Sequence, residues 1–444
     1  MIWIELVILL ACILVGARLG GIALGTVAGL GLAVFVFLLG MPPGGPPGTV
    51  LGMIIAVITA LAAMQAAGGL DYLVAVSEKV MRKHAPYITF VAPVATYLLV
   101  LASGTTHVIY ALLPVIAEVS RKAGIRPERP LSISVIAGFQ GVIASPISAA
   151  TVAMIGILSQ KEISLPHLLA VTIPSTFAAV LIGALSVAWR GKELNDDPEY
   201  QQRLATGQTP PPQATQALQE AAIGRARGST MLFLAGIAIV VLIGMFPEIR
   251  PVYQTVVNGQ VDSDQVGMGF AIMIIMLSIA ALITIFFKAS PEAMLKGTIM
   301  RSGVSAIVSI LGVAWLGSSF FEGNRGPIVG GISQLVDNHP WAFGVGLLVL
   351  SSMLFSAAAS VVILIPVGLA VGLQPYLLVG FYPAANSVFL LPTYGTLLAA
   401  VSFDQTGTTK IGKFLLNHSF MLPGLVTVTS AVVFSVLLGA LVFR

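Results

Sequence analysis

Charged residues and cysteine are both scarce in this sequence. Only 9% of its 444 residues are Asp, Glu, Lys or Arg, whereas a soluble domain carries about 25%. The single cysteine, Cys12, lies inside the first apolar run and has no partner for a disulfide within the chain. No Lys or Arg precedes that run, so we expect it to remain as a membrane span and not to be removed as a signal peptide. These absences exclude a soluble globular domain and a disulfide-rich secreted one.

Sequence patterns of common enzyme classes are absent as well. The chain contains no HExxH, no GxSxG and no cluster of cysteines, which mark zinc proteases, serine hydrolases and thiolate metal sites. We therefore expect no enzyme activity, no bound metal and no cofactor. A net charge of +4 and a pI near 9.2 raise nucleic acid as a partner, but the positive charge that accumulates in cytoplasmic loops of membrane proteins explains the excess better.

Apolar residues are abundant instead: they make up 57% of the chain, and the mean hydropathy is +0.97. Only helices and closed barrels cross the hydrocarbon core, because every backbone polar group must be hydrogen-bonded there. Long apolar runs in both halves predict helices, so the fold class is an all-α polytopic membrane protein that lies in the lipid bilayer. The predicted continuous spans are residues 3–17, 20–40, 49–70, 166–188, 231–247, 267–288, 296–320 and 418–442.

The apolar stretch 86–120 has basic clusters on both sides. One cluster at 79–83 precedes it and another at 121–129 follows. Because such clusters mark the cytoplasmic side of a membrane protein, both ends of the stretch are predicted to be cytoplasmic. As one helix it would reach roughly 50 Å, too long for a single crossing of a ~30 Å core. The sequence therefore predicts a re-entrant helical hairpin whose polar tip, residues 104–107, is buried in the protein.

The stretch 131–160 is a second interrupted element. Its apolar run is broken around Pro146, which lacks a backbone N–H and clashes with the preceding helical turn. The second half of the chain repeats both features. Residues 341–373, with small polar residues at their centre, predict another hairpin, and 375–403 predict another broken helix, interrupted near Pro392. The two copies share little residue identity, so the repeat is one of architecture.

These features divide the chain into two repeats. Residues 1–189 form the N-terminal repeat and 231–444 the C-terminal repeat, joined by a polar cytoplasmic linker at 190–230. Each repeat contains five spans, one of them discontinuous, plus one re-entrant hairpin. Because five is odd, the second repeat must have inverted topology, and both termini are predicted to be periplasmic. Of the 22 Lys and Arg residues, this arrangement leaves only four on the periplasmic side: Lys161, Arg250, Arg325 and Arg444.

Inverted repeats with discontinuous helices are typical of secondary transporters, whose sites lie near the membrane midplane. Interrupted helices expose backbone N–H groups and the positive ends of helix dipoles, which bind anions. Two pairs of such ends could bind the two carboxylates of one substrate. The predicted substrate-binding residues lie at the two hairpin tips and the two helix breaks: Gly104, Thr105, Thr106, His107, Ser145, Pro146, Ser148, Ser356, Ser360, Pro392, Thr393, Tyr394 and Thr396.

Each of these side chains also has a plain structural interpretation. Small residues and hydroxyls are common where helices pack closely in membranes, and a single Ser or Thr is explained that way more often than as a ligand. Their clustering at four interruptions favours a binding site for the group. His107 is open to three roles: proton carrier, donor to substrate, or helix cap. We expect Glu118 to pair with Arg121 or Lys122, and Asp404 to cap or gate and not to bind a cation.

Two other classes of transport protein stay open. An anion channel is one, although duplicated hairpins suit alternating access better. A cation-coupled uptake carrier for another small organic anion is the second. No arginine is predicted in the middle of a span, where it would bind an anion permanently, so a carrier that must also release its substrate is favoured.

At these motifs the sequence resembles the anaerobic C4-dicarboxylate transporters, the Dcu family, along nearly its whole length. The segments around His107 and IRPERP resemble the B branch more closely, and Thr106 stands where glycine is expected. The segments that carry the resemblance are GARLGGIALG (16–25), AMQAAGGLDYLV (63–74), GTTHVIYALLPVIAEV (104–119), IRPERPLS (125–132), IASPISAA (143–150), IPSTFAAVLIG (173–183), ILGVAWLG (310–317), FLLPTYGTLLAAV (389–401) and DQTGTTKIGKFLLNH (404–418).

This resemblance implies a function and a mechanism. The implied substrates are fumarate, malate or aspartate, taken up across the bacterial inner membrane in exchange for succinate during anaerobic respiration. The family likeness also implies a scaffold domain and a moving transport domain, that is, an elevator-like form of alternating access. A homodimer is one assembly that it allows.

Overall fold

The structure is a computed structural model and is almost entirely helical. It describes residues 2–19, 22–46, 48–161, 163–207, 220–257, 260–324, 326–327, 339–354, 356–392, 394–412 and 417–443. Among these residues, seven helices are long and apolar enough to cross a membrane, or eight if one bent pair of helices is counted as a single span. The prediction of an all-α polytopic membrane protein is confirmed.

The helices of the first half begin and end close to the predicted bounds. They are α1 (Ile2–Leu19), α2 (Ala23–Ala33, continued by a π-helical turn Val34–Leu38), α3 (Gly48–Ala66), α4 (Gly69–Lys83), a 3-10 helix (Ala85–Tyr87), α5 (Ile88–Ser103), a 3-10 helix (Thr106–Val108), α6 (Ile109–Lys122), α7 (Glu128–Ala144), α8 (Ala149–Leu158), a 3-10 helix (Ser159–Lys161) and α9 (Leu165–Val187).

The second half of the chain begins with the linker, which contains the first two of its helices. Its elements are a 3-10 helix (Leu194–Asp196), α10 (Pro198–Ala205), α11 (Glu220–Met245), a 3-10 helix (Pro247–Ile249), strands β1 (Val252–Val257) and β2 (Gln260–Gln265), α12 (Met268–Phe287), α13 (Pro291–Lys296), α14 (Thr298–Gly323), α15 (Trp341–Leu354), α16 (Ala357–Ala370), α17 (Pro375–Phe381), a 3-10 helix (Tyr382–Asn386), α18 (Gly395–Phe403) and α19 (Met421–Val442).

Helix α4 and a β-hairpin are among the elements that were not predicted. Helix α4 contains the basic cluster 79–83 that the sequence analysis assigns to a loop, and it is bent by 71° from α3. The bend lies at Gly68, whose φ of +85° is accessible to glycine without strain. Strands β1 and β2 form an antiparallel hairpin. Asn258-Gly259 stands between them in the sequence and is a strong hairpin signal, although these two residues lie outside the described part of the chain.

The predicted linker 190–230 is partly helical. Helix α11 already begins at Glu220, and the proline-rich centre of the linker, residues 208–219, lies outside the described residues. The start of the linker is attached to the membrane helices by two ion pairs, of which only the second has both side chains buried. Arg129 Nη1 lies 2.9 Å from Glu193 Oε1, and the guanidinium of Arg126 pairs with the carboxylate of Asp197.

Arg126 lies at the centre of this buried ionic cluster. Its Nε also lies 2.7 Å from Glu128 Oε2. Burial disfavours the charged guanidinium, but the hydrogen bonds and charges of Glu128 and Asp197 outweigh burial and raise the pKa of Arg126 above its ordinary value. The backbone N–H of Glu128 donates to Thr408 Oγ1 over 3.2 Å. The first residue of α7 therefore lies on the same face of the molecule as the loop that follows α18.

Helices α9 and α19 occupy matched positions in the two halves and pack against each other in opposite directions. Arg190, just after α9, donates from Nη1 to the carbonyl of Ser419, just before α19, over 3.1 Å. At the other end, the ring of His167 in the first turn of α9 packs on the ring of Phe443 after α19. Antiparallel directions of matched helices are what inverted halves require.

Other helix contacts also occur in matched pairs. Helix α2 packs on α14, and α3, the counterpart of α14, packs on α12, the counterpart of α2. Likewise α6 packs on α18, and α16 packs on α8. If each helix is replaced by its counterpart in the other half, each of these contacts becomes the other contact of its pair. The inverted repeat stays a prediction in its details, and these contacts are the pattern that it would produce.

Helix α7 lies at the centre of this arrangement. Nearly all of its residues are buried, including polar Ser132, Ser134 and Gln140. It contacts α5, α6, α9, α18 and α19, which come from both halves of the chain. The break at its C-terminal end is therefore enclosed by protein, as a broken helix in a membrane must be if its backbone groups are to find partners.

Candidate functional site

The first interruption is the turn between α5 and α6. Gly104 has φ of +68° and its N–H donates to the carbonyl of Val100 over 2.7 Å, which ends α5 in a left-handed cap. Helix α5 has 16 residues and α6 has 14, so the two are only about 24 and 21 Å long. With the 3-10 turn before it, α5 forms a 19-residue apolar segment, Ala85–Ser103, that is one of the seven helices long enough to cross. Helix α6 is shorter than the ~30 Å hydrocarbon core.

The outer ends of α5 and α6 lie together. Arg82, in the last turn of α4, places Nη2 2.9 Å from Glu118 Oε2 in the last turn of α6. Lys122 Nζ lies 2.6 Å from the other carboxylate oxygen, as expected for Glu118. Burial of Glu118 opposes its ionisation, but the bonds from Lys122 and Arg82 hold its pKa below the ordinary value. The chain thus enters and leaves this helix pair at one level.

The second interruption separates α7 from α8. Ser145 and Ser148 have extended backbones and are buried, and they flank Pro146 and Ile147. The Ser148 hydroxyl accepts from the N–H of Thr151 over 3.1 Å, so it is the N-cap of α8. Ser145 Oγ accepts a longer bond, 3.4 Å, from the N–H of Ile147. Both serines stabilise the break itself.

The third interruption, between α17 and α18, is longer than predicted. The sequence predicts a break near Pro392. In the structure, regular α-helix ends at Phe381, a 3-10 turn continues to Asn386, and α-helix resumes only at Gly395. Pro383 cannot continue the helical hydrogen-bond ladder, and the Asn386 side chain donates to the carbonyl of Phe139 in α7. Pro392 lies in the non-helical segment, and Thr393 lies outside the described residues.

Polar contacts join the two broken helices directly. Thr151 Oγ1 lies 3.0 Å from the hydroxyl of Tyr382, and Asn386 Nδ2 donates to the carbonyl of Phe139 over 2.6 Å. Gln140 Nε2 donates to the carbonyl of Pro383 over 3.4 Å. The residues in these pairs are more than 230 positions apart in the chain, and all of them are buried. The two breaks therefore form one polar region inside the protein.

The tip of the first hairpin contacts both breaks. A Cβ added at Gly104 would lie 3.0 Å from Cγ1 of Ile147, in the first break. Thr106 Oγ1 lies 3.5 Å from the hydroxyl of Tyr394, in the break between α17 and α18. A Cβ added at Gly395 would overlap the hydroxyl of Tyr110 in α6, so the start of α18 approaches the hairpin as closely as glycine permits.

A small cavity, which we call the tip cavity, lies beside this tip. Its volume is about 110 Å³, and Gly104, Thr105, Ile147 and Ala149 line one side. A water needs only about 10–15 Å³ of such space, so the cavity has room for a small solute. The opposite side is apolar and comes from α3 and α14: Ile54, Val57, Ile58, Leu61, Ile299 and Gly303.

The second predicted hairpin, α15 and α16, is bonded to the second break. Ser351 Oγ donates to the carbonyl of Ala384 over 3.2 Å, and Ser352 Oγ donates to that of Ser387 over 2.8 Å. Ser356 is the N-cap of α16, accepting from the N–H of Ala359, and Ser360 Oγ donates to the carbonyl of Ser356. The hydroxyls of Ser356 and Ser360 are thus used within their own helix.

The structure does not bring all of the predicted site residues together. Gly104, Thr105, Thr106 and Tyr394 lie together at the first tip. Thr396 Oγ1, in the first turn of α18, is buried and has no hydrogen-bond partner in the described part of the chain. The backbone of His107 lies in the 3-10 turn of the tip, and the position of its side chain is outside the described set. Ser145, Ser148 and Ser356 are helix caps, and Ser360 donates to the carbonyl of Ser356 inside its own helix.

Sequence reasoning missed Tyr110, Thr151, Tyr382 and Asn386, which connect the tip and the breaks. Pro383 carried a usable signal, because proline has no N–H to donate to the helical hydrogen-bond ladder. Asn386-Ser387 carried another, since both residues favour caps over helix interiors. They stand inside an apolar stretch whose obvious break is Pro392, and that stronger signal masked them.

Asp404 is a cap, as expected. Its carboxylate accepts from the N–H groups of Thr406 and Thr409 over 2.9 and 2.6 Å, and from the Thr408 hydroxyl over 2.8 Å. These bonds fold the loop after α18 around one buried carboxylate. The same loop then meets Glu128 at the start of α7.

Residues 1–443 match the model of a protein family described as anaerobic C4-dicarboxylate membrane transporters. The chain belongs to this family. The C4-dicarboxylate transporter DcuA of Wolinella succinogenes is 41% identical over 445 residues, with 100% of this chain and 99% of the relative covered. DcuA of Escherichia coli K12 is 41% identical over 441 residues, covering 99% of each. The anaerobic C4-dicarboxylate transporter DcuB of Escherichia coli O157:H7 is 38% identical, covering 99% of this chain and 98% of the relative.

Family membership confirms the resemblance and assigns the chain to a class of transporters, not of enzymes. Identities of 41% to the DcuA proteins and 38% to the DcuB protein do not single out the B branch, which stays a prediction.

Two solved transporter structures resemble this C4-dicarboxylate transporter in fold. MtrF of Neisseria gonorrhoeae, described as one of a class of antimetabolite efflux pumps, superposes with a TM-score of 0.56 at 13% identity, over 92% of this chain and 84% of its own. The YdaH transporter of Alcanivorax borkumensis, described as having an unusual topology, gives 0.55 at 16% identity, over 88% and 85%. At these identities the likeness concerns the fold alone.

Proposed function

We propose that this protein is an antiporter that exchanges C4-dicarboxylates across the bacterial inner membrane, taking up fumarate, malate or aspartate and releasing succinate. The family supports a four-carbon dicarboxylate as the substrate. The observation that carries the proposal is the meeting of the first hairpin tip with both helix breaks beside the tip cavity. This is the arrangement of helix ends that a dianion requires.

Two helix N-termini are placed to bind carboxylates. Helix α8 begins at Ala149, which lines the tip cavity. Helix α18 begins at Gly395, against Tyr110 of the hairpin. Backbone N–H groups and the positive dipole end favour an anion at each start. Thr105 lines the cavity, and the buried hydroxyl of Thr396 is available as a further donor. A substrate with two carboxylates would satisfy both ends at once.

Exchange follows from the electrostatics of such a site. An empty site leaves N–H groups and partial positive charge without partners in a low-dielectric region, at a cost of several kcal/mol per group. A bound dicarboxylate removes this cost. The loaded carrier should therefore reorient faster than the empty one, and transport in one direction should require a substrate for the return.

We further propose elevator-like movement of a transport domain that contains the hairpins and broken helices. The tip cavity has one wall from the hairpin and the first break, where Thr105 supplies a hydroxyl, and an apolar wall from α3 and α14. An apolar wall makes no hydrogen bonds that movement would have to break. Helices α2, α3, α12 and α14, which pack on one another, would be the scaffold. A homodimer would fix such a scaffold in the bilayer, and both termini would lie in the periplasm.

Counterflow in proteoliposomes tests this function. Vesicles are loaded with labelled succinate and diluted into buffer, with or without external fumarate, at fixed pH and sodium. We expect slow efflux into plain buffer and strong acceleration by fumarate. Equal efflux in both buffers would show that the empty carrier returns freely, as for a channel or uniporter. Uptake that needs a sodium or proton gradient, and no internal dicarboxylate, would favour the cation-coupled carrier instead.

A further inference from the structure

A second cavity lies between the two halves and shares no lining residue with the tip cavity. We call it the Arg250 cavity. Its volume is about 450 Å³, about four times that of the tip cavity. The end of α8, the end of α11 and the starts of α3, α9 and α12 surround it. Arg250 is the charged side chain in its lining, and no carboxylate lines it among the described residues.

The unpredicted β-hairpin positions Arg250 at this cavity. Arg250 lies two residues before β1, and its Nη1 donates to the carbonyl of Val266, which follows β2, over 3.3 Å. The N–H of Val266 donates to the carbonyl of Pro251 over 3.0 Å, and Gln265 Nε2 donates to the carbonyl of Arg250 over 3.3 Å. The base of the hairpin thus fixes the guanidinium between α11 and α12.

The remaining lining also suits an anion. Thr49 lies in the first turn of α3, Ser164 is the N-cap of α9, and Gly267 is the N-cap of α12. Neither Ser164 nor Gly267 provides a side-chain bond to the first N–H groups of its helix. Three helix starts therefore add partial positive charge and backbone donors to the charge of Arg250.

The two cavities follow one another along the same two helices. On α3, Met53 lines the Arg250 cavity and Ile54 and Val57 line the tip cavity. On α8, Ile155 lines the first and Ala149 the second. At 1.5 Å per residue these pairs are separated by only about 2–9 Å along the helix axes. A ligand in the Arg250 cavity is thus one or two helical turns from the substrate site.

We propose that the Arg250 cavity is an outer binding site for dicarboxylates, which captures the dianion at the periplasmic face before it reaches the hairpin tip. This inference rests on the proposed exchange function and adds to it a charged residue. The substrate site itself is predicted to have no fixed cation, because it must release the anion. A site at the mouth only raises the local concentration of dianions, so a full positive charge is compatible with it.

The test compares Arg250→Gln, Arg250→Lys and Lys161→Gln. Lys161 is exposed on the same face and does not line the cavity, so its substitution controls for general loss of positive charge. Exchange is measured in right-side-out and inverted membrane vesicles, with succinate as the probe. For Arg250→Gln we expect the KM at the periplasmic face to rise roughly ten- to hundredfold with an unchanged maximal rate, because a charged hydrogen-bond partner is lost. The cytoplasmic KM should not change, and Arg250→Lys should keep most of the affinity.

The outcomes separate this inference from the proposed function. If the unmodified protein shows no exchange, the proposed function fails and the inference falls with it. If exchange is normal but the periplasmic KM of Arg250→Gln is unchanged, or rises no more than that of Lys161→Gln, the inference alone is overturned. Equal rises on both faces would also overturn it. The measurement is repeated in vesicles of phosphatidylcholine alone, since an effect confined to membranes with anionic lipid would assign the cavity to a lipid phosphate.

Discussion

Thr106 and Tyr394 lie 288 positions apart in the chain, and their hydroxyl oxygens are 3.5 Å apart at the centre of the molecule. One belongs to the first hairpin tip and the other to the segment just before α18. Each half of the chain thus completes the interruption of the other. Contacts between the two halves also occur where Thr151 meets Tyr382 and where Asn386 meets the carbonyl of Phe139. The candidate site cannot form from either half alone.

Cysteine labelling tests the level at which the first hairpin begins and ends. In a Cys12→Ser background, Lys83→Cys and Ala123→Cys place thiols at exposed positions before α5 and after α6. We expect an impermeant reagent to label both from the cytoplasmic side only, and Tyr253→Cys in β1 from the other side. Arg126 is unsuitable for this test because its side chain is buried. Labelling of residues 83 and 123 from opposite sides would contradict the hairpin.

Thr105→Ala and Thr396→Val test the substrate site. Losing one hydrogen bond to a charged group should weaken succinate affinity roughly ten- to hundredfold. The Thr396 hydroxyl is buried without a partner in the described part of the protein, so Thr396→Val should leave thermal stability unchanged or higher while transport affinity falls. Ser278→Ala is the control, since its hydroxyl bonds the carbonyl of Ile274 on an exposed face of α12. Unchanged affinity in both site variants would return these residues to a packing role.

Gly395→Ala and Tyr110→Phe form a pair with an expected rescue. A Cβ at Gly395 would overlap the Tyr110 hydroxyl, whereas the ring carbon that bears this hydroxyl would be 3.5 Å away. Gly395→Ala should therefore separate α18 from the hairpin and strongly reduce exchange. Removing the hydroxyl with Tyr110→Phe should restore much of that loss in the double variant. Exchange rates of the four proteins in vesicles measure the coupling; losses that simply add would show that the contact does not matter.

Asp197→Asn tests whether the start of the linker stabilises the membrane helices. Arg126 and Asp197 are each only about one-tenth exposed, so weakening their ion pair should cost about 1–3 kcal/mol of unfolding free energy. Glu292→Gln breaks the Lys296 pair on α13, which is more than two-thirds exposed, and should cost no more than about 1 kcal/mol. Melting temperatures in detergent compare the two. Equal changes in melting temperature would mean that the start of the linker does not stabilise the membrane helices.

Hydropathy and charge were enough to predict the class of fold and most helix bounds. These signals are local: an apolar run of a given length predicts a helix, Pro146 predicts a break, and Gly104 marks a turn, whatever the rest of the chain does. The motifs at the tip and breaks were also sufficient to indicate the family. Helix α4 was missed because its basic cluster at 79–83 is typical of a cytoplasmic loop, and the apolar face of the same segment was not considered.

Tertiary structure alone decided which interruptions meet. Nothing local in the sequence pairs Asn386 with Phe139. Nor does it show that Ser356 and Ser360 bond within their own helix, while Thr396 has no partner among the described residues. It also decided that Arg126, one of a basic cluster expected in a loop, is buried against Asp197. Such contacts join residues far apart in the chain, and a buried polar group takes whichever partner packing brings within reach. Sequence patterns state that a partner is required, and only the packed helices determine which residue it is.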